Sequence, residues 1–375
     1  MVSNNGILDK VIQSQQEKVK ANFNPQELVA FLLGDLTDRE RRVIKLRYGL
    51  DQSDKQTLQS IGKKLGITRE RVRQIETGAI KKAKQTENKT DKLSGLTELV
   101  EKIIRQHGSI RLEDDLINEL LGDSFSRPLD RNCLLFIFHN FLSDKIKPVD
   151  VVHTEKAWTI KGENIDHFPF VVQGVKSVLN KYNQPLNIDK IKEEIEQHQF
   201  EDNVKQLVNE IEDLNLALES YLNVSKHFKK NLFDKWGLIE WRLVNPKRMR
   251  DKVYLVLSKD KKPLHYKKIA DRINEEKFDK KVAHPATIHN ELILDKRFVL
   301  IGRGIYALAE WGYKPGVIAQ VVREVLDQAG RPLSRDEITS EVLKRRMVKQ
   351  GSINLTLMDA DIFLKRDDGK YELKN

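Results

Sequence analysis

The sequence predicts a mainly α-helical protein, a helix-turn-helix domain followed by a tandem array of winged-helix units, each of three helices and a small β-hairpin. Three observations carry that expectation. Two short amphipathic helices meet at Gly66 within residues 31–88. Further along, a series of helix, turn, helix, helix and aromatic strand recurs. Charged residues make up 33% and apolar residues 39% of 375, which fits several small cores under much solvated helical surface rather than one large core.

The first domain is read from its caps. Thr37, followed three residues later by Glu40, forms a capping box, so a helix starts there and runs to Gly49. In the next helix Leu58, Ile61 and Leu65 fall on one face. Gly66 supplies the bend, and Thr68 the N-cap of a third helix with Val72, Ile75 and Ala79 as its apolar face. Arg69, Glu70, Arg73 and Gln74 then point away from the core on its first two turns. That end of the second helix of a helix-turn-helix reaches base edges in the major groove. Arg suits guanine, Gln suits adenine, and Glu accepts from the cytosine amino group. Arg69, Arg71, Arg73, Lys81, Lys82 and Lys84 outnumber Glu70 and Glu76, a surplus suited to phosphate contacts. The expected DNA-binding set is Thr68, Arg69, Glu70, Arg71, Arg73, Gln74, Lys81 and Lys82. Residues 1–30 read as a helical segment with a break near Pro25, and residues 84–95 as a polar linker.

Beyond the linker, "RQHGSIRLEDDLINEL" (105–120), "NKYNQPLNIDKIKEEI" (180–195), "SKDKKPLHYKKIADRI" (258–273) and "DQAGRPLSRDEITSEV" (327–342) repeat one pattern. Pro-Leu marks the joint in the last three. Aromatic strands follow: "KAWTI" at 156, "LIEWRLV" at 238, "GIYAL" at 304 and "GKYEL" at 369. In the last two copies Gly304 and Gly369 mark hairpin tips, with "RFVLI" and "DIFLK" as first strands. The expected units are 95–162, 167–245, 246–313 and 314–375. The first is the weakest, because it lacks the proline and its hairpin is poorly patterned.

A formal net charge of +10 and a pI near 9.3 favour a polyanionic partner, double-stranded DNA above all. Cys133 is the single cysteine, set among Leu134, Leu135 and Phe136, which excludes an internal disulfide and predicts a buried thiol. With neither a secretory signal nor an apolar run of membrane-spanning length, a cytoplasmic, nucleoid-associated protein is expected, with no membrane partner. No GxxxxGK[ST] loop is present, and His284 and His289 lack partners at zinc spacing. The sequence therefore predicts no metal, no cofactor, no catalytic residue and no enzymatic activity.

The stretch "LTDRERRVIKLRYGL…TLQSIGKKLGITRERVRQIETGAIKKAK" resembles region 4 of primary bacterial sigma factors. The resemblance implies that Arg69, Glu70, Arg71, Arg73 and Gln74 contact bases and phosphates of the upstream promoter hexamer. It also implies that "RERRVIKLRYGL" lies against the flap of the RNA polymerase β subunit. In that family region 4 follows the promoter-melting domain at the carboxyl end, whereas here it stands near the amino end, so initiation by this chain alone is not expected. The third unit, "KPLHYKKIADRINEEKF…HPATIHNELILDKRFVLIGRGIYALAEWGY", resembles the HARE-HTH module, also found in the RNA polymerase delta subunit. Phe298, Tyr306 and Trp311 are expected in its core, and Lys296, Arg297 and Arg303 are candidate wing contacts to phosphate. The basic runs "PKRMRDK" (246–252) and "LKRRMVK" (343–349) read as solvated faces, and "EEIEQHQFED" (193–202) as a protein-facing segment.

The function expected is a bacterial DNA-binding transcription regulator that reads promoter-like DNA and engages RNA polymerase. The alternatives are a polymerase accessory subunit that competes with sigma factors at the β flap, and a nucleoid architectural protein.

Overall fold

The computed structural model describes residues 23–51, 54–85, 87–122, 127–197, 213–313, 317–346 and 348–374. The N-terminal segment expected over residues 1–30 lies outside them up to residue 22. The fold is mainly helical with small antiparallel sheets and divides after Lys229 into two compact bodies.

The first body opens with α1 (Pro25–Leu32), which begins at the expected break. Asn24 Oδ1 accepts from the amides of Gln26 and Glu27, and Pro25 fills the first turn, where its missing N–H costs nothing. Helices α2 (Asp38–Tyr48), α3 (Leu58–Leu65) and α4 (Arg69–Ala83) follow. Gly49 and Gly66 end α2 and α3 in the left-handed conformation, with φ of +66° and +65°, which a side chain at either position would disfavour. Val43, Ile61 and Val72 form a small core, with Leu46, Leu58, Leu65, Ile67 and Ile75 packed around it.

Residues 89–95 are not a linker. They form the first turns of α5 (Lys89–Gln106), whose Leu93, Leu96, Val100, Ile103 and Ile104 are buried. Leucines and isoleucines at helical spacing outweigh the polar residues between them once a face is available to cover them. Helix α5 leads to β1 (Ile110–Leu112), α6 (Glu113–Leu121), α7 (Pro128–Asn140), β2 (Ile146–Pro148) and β3 (Ala157–Ile160). One continuous core runs from Leu28 in α1 to Ile160 in β3 and takes in Ala79 and Ala83 from the end of α4. Tyr48 meets Phe136 edge-on at 4.9 Å. Cys133 is buried there, and burial, with the Asp130 charge second, pushes its thiol up to about 12. The apolar face of α4 is thus divided between two cores, which fixes the helix to the unit that follows it.

The sheet order of that unit is β1-β3-β2, all antiparallel, with Ile110 opposite Thr159 and Ile146 opposite Ile160. Helices α8 (His167–Tyr182), α9 (Ile188–Gln197) and α10 (Leu214–Val224) continue the first body. Helix α10 packs on β1. There Ser220 donates to the carbonyl of Ile110, and the Tyr221 hydroxyl donates to that of Gly108 at 2.8 Å. Of the acidic segment expected to face a protein, Glu194 is buried and held by Lys181 at 2.8 Å, while residues 198–202 lie outside the described part.

The division between the bodies falls within β4 (Phe228–Lys230). In the second body the strand expected across "LIEWRLV" is instead β5 (Trp236–Leu238); the residues after it turn, with Trp241 N–H bonded to Leu238 O at 3.0 Å. Next come α11 (Met249–Asp260), β6 (Leu264–His265), α12 (Tyr266–Glu276), α13 (Pro285–Leu294), β7 (Phe298–Gly302) and β8 (Ile305–Leu308). Their sheet order, β6-β8-β7, matches that of the 95–162 segment, the weakest copy in sequence. Phe298 and Tyr306 are buried in this core and Trp311 is packed against it. Finally α14 (Ile318–Ala329), α15 (Arg335–Arg345), α16 (Gln350–Thr356), β9 (Phe363–Lys365) and β10 (Tyr371–Leu373) enclose a core of their own, and Leu333 bridges Tyr371. The two basic runs expected to be solvated are only partly so: Lys252 is buried with its Nζ 2.7 Å from Asp279, and Arg346 is buried as well.

Candidate nucleic-acid interface

Helix α4 starts where Thr68 Oγ1 accepts from the Arg71 amide at 3.2 Å. The cap fixes the direction of the helix and, with Val72 turned inward, leaves residues 68–71, 73 and 74 exposed. On this face the side chains pair with one another. Arg73 forms a fork on Glu70, with Nη2 to Oε1 at 2.6 Å and Nε to Oε2 at 2.9 Å. Arg71 Nη1 donates to Gln74 Oε1 at 3.1 Å. The hydrogen bond from Arg73 holds the Glu70 carboxyl below its ordinary value, so it is a charged acceptor at neutral pH. Arg69 is exposed, with no ion pair among the described residues. The eight expected residues are therefore all solvent-exposed along one helix and its N-cap: those expected to face bases lie on the first two turns, Lys81 and Lys82 on the last.

Charge-bearing side chains behind this face set its position, and sequence reasoning missed them. Glu76, counted there only as an acidic offset, accepts from the Tyr48 hydroxyl at 3.0 Å and from Arg47 Nε at 3.4 Å. Arg47 also donates from Nη1 to the Gln56 carbonyl at 3.0 Å, tying α2 to the residues leading into α3. Burial, with the Glu76 charge second, pushes the Tyr48 hydroxyl up to about 12, so it stays a donor. Arg41 reaches the carbonyls of Leu33, Gly34 and Leu36 after α1. Only the spacing of Glu76 from Gln74 and Ala79 hinted that it lies off the exposed face. Lys82 differs from Lys81 in having an ion-pair partner among the described residues: its Nζ is 3.6 Å from Glu40, the carboxylate that closes the α2 capping box.

At the wing of the second body, Lys296 and Arg303 are exposed. Arg297 is engaged within the protein: it bonds Asp295 at 2.8 Å and Asp251 at 3.0 Å and lies over the rings of Tyr254 and Phe298. No cluster of three or more histidine, cysteine or acidic side chains among the described residues is placed to hold a metal ion. No described helix is long and apolar enough to cross a membrane.

Two helices capped by Thr57 and Thr68, a left-handed glycine between them and a basic, polar first turn on the second define a helix-turn-helix domain of the DNA-binding class. Comparison with known proteins places it further. Residues 32–85 match the family described as Sigma-70, region 4. The chain is 42% identical over 79 residues to the RNA polymerase sigma factor SigA of a Bacillus species, covering 20% of this chain and 21% of that protein. It is 43% identical over 83 residues to the RNA polymerase sigma factor RpoD of Helicobacter pylori, covering 22% of this chain and 11% of that one. The chain thus spans only about a fifth and a tenth of the length of these relatives. The match supports a DNA-binding, sigma-like, transcription-related role for the region 4-like domain.

Proposed function

We propose that this protein is a DNA-binding transcription regulator in which α4 reads promoter-like duplex DNA and the chain engages RNA polymerase. The observation that carries the reading is the exposed first half of α4, where Arg69, Glu70, Arg71, Arg73 and Gln74 share one face while Val72 and Glu76 anchor the other side. Arg73 and Gln74 have the donors and acceptors that distinguish base pairs in the major groove. Lys81 and Lys82 supply phosphate contacts, and Lys296 and Arg303 are separate candidates for phosphate contact at the wing of the second body. The similarity to sigma factors, named for RNA polymerase, supports a polymerase partner, with α2 as the surface presented to the β flap. A cytoplasmic, nucleoid-associated location and the absence of catalysis go with this reading.

Binding of the full chain to duplexes of varied sequence at moderate salt tests it: equal affinity for all of them would sink specific readout. The accessory-subunit reading is favoured by the Arg73–Glu70 ion pair and the Arg71–Gln74 hydrogen bond, which engage these side chains with each other. A pull-down with core polymerase separates the two. If Arg69→Ala and Arg73→Ala chains keep full effect on transcription, competition at the flap replaces DNA reading.

A further inference from the structure

The first body contains a cleft that the DNA-reading face does not use. Its volume is about 330 Å³, at the small end of ligand-binding clefts, and Lys55, His139 and Lys156 stand around it. Leu135, Pro148, Val149 and Trp158 supply apolar walls, and Glu113 lies between the two kinds of surface. Lys55 belongs to the segment that leads into α3 of the helix-turn-helix; Lys156 precedes β3 of the next unit. An occupant of the cleft therefore touches both.

The charges do not balance. Glu113 is the carboxylate in the lining, and it is already engaged: Trp158 Nε1 donates to one oxygen at 3.2 Å and Arg131 holds the other at 3.0 Å. Neither Lys55 nor Lys156 has an ion-pair partner among the described residues. Desolvation pulls the Lys55 ammonium below its ordinary value; the Glu113 charge opposes this, while Lys156 and Arg131 add to it. Two unpaired ammonium groups at one opening, with the His139 imidazole tilted at 57° and its centroid 4.8 Å from that of the Trp158 ring, form a site for an anion. The apolar walls add a requirement that a bare anion does not meet, a flat organic body attached to it.

We propose that this cleft binds a nucleoside phosphate, with Lys55 and Lys156 on the phosphate and the heterocycle against Leu135, Pro148 and Val149. Size limits the ligand to about one nucleotide. Because Lys55 sits on the chain entering α3, occupancy stiffens the approach to the DNA-reading helix and gives the region 4-like domain a small-molecule input.

The experiment titrates the full chain with adenosine and guanosine monophosphates, following tryptophan fluorescence and melting temperature, with inorganic phosphate and free adenosine as separate arms. Saturable binding of a monophosphate, stronger than either half alone, is expected. The double variant Lys55→Ala/Lys156→Ala should weaken it roughly tenfold or more, since it removes two charge-assisted contacts. Both lysines are exposed, so the variant is expected to fold, and an unchanged melting temperature without ligand verifies this. Absence of saturable binding, or equal binding by the double variant, overturns the proposal. So does a double variant that loses duplex DNA affinity while no monophosphate binds, because the lysines are then DNA backbone contacts.

Discussion

Arg73 and Glu70, one turn apart on the solvent face of α4, clasp each other through two near-parallel hydrogen bonds of 2.6 and 2.9 Å. On the proposed reading, duplex DNA has to share or break this pair. An arginine already held in a fork is presented in one orientation, which favours selective over indiscriminate contact.

Arg73→Ala is therefore expected to relax discrimination at one base pair, at a cost of ~1–3 kcal/mol in binding, with little change in salt dependence. Competition titrations with duplexes altered one pair at a time check this. A uniform loss across all duplexes would make Arg73 a backbone contact instead.

Lys81→Ala should weaken every duplex alike and reduce the salt slope by about 1. Lys82→Ala should do the same and also lose the 3.6 Å contact to Glu40. That pair is partly exposed, so the added loss of stability stays below ~1 kcal/mol. Binding over a salt series and denaturant melts of the two variants, side by side, separate the effects.

Two glycines of the helix-turn-helix predict opposite outcomes. A Cβ at Gly62 would lie 2.7 Å from the Ile67 carbonyl oxygen, a backbone atom with no room to retreat. Gly62→Ala should destabilise by ~1–3 kcal/mol. Around Gly78, within α4, nothing lies within 4 Å of a built Cβ, so Gly78→Ala should stabilise by ~0.5–1 kcal/mol. Urea midpoints measured on the full chain read both signs.

Phe136→Ala should cost ~3–5 kcal/mol through the cavity it leaves. The loss should also reach α4, because Phe136 packs on Tyr48, and Tyr48 holds Glu76. Amide exchange is the measurement: α2 and α4 should lose protection together with α7. Loss confined to α7 would mean that the two cores are uncoupled.

Glu40 gives a pH dependence. The Thr37 amide, then the Thr37 hydroxyl, lower its carboxyl from the ordinary 4.5. A carboxyl lowered on folding stabilises the native state above its unfolded value and loses that contribution as pH falls through the folded one. Stability of the native chain should thus drop below about pH 4.5 by more than that of Glu40→Gln. Parallel acid titrations of the two proteins would contradict the capping role.

Much of the exposed face of α4 was legible because local rules set it. Thr37, Thr68, Gly49 and Gly66 act on their own chain neighbours, and helical spacing then dictates which of Arg69, Glu70, Arg73 and Gln74 point outward. The hairpin tips at Gly304 and Gly369 were readable for the same reason, positive φ at both. Residues 84–95 misled because their composition is polar while their spacing is helical, and spacing prevails only when a partner surface exists. Glu76, Arg47 and Tyr48 were missed because each pairs with a residue distant in sequence.

The sequence by itself determined the capped helices of the first domain, the exposed face of α4 and its resemblance to sigma region 4, since capping, turn and periodicity are interactions over a few residues. Tertiary structure alone decided that Leu28 and Ile160 share one core, that Arg297 is bound internally while Lys296 and Arg303 stay exposed, and that Lys55 and Lys156 meet at one cleft. Burial and ion pairing between distant segments depend on which surfaces the folded chain brings together, and no local pattern encodes that.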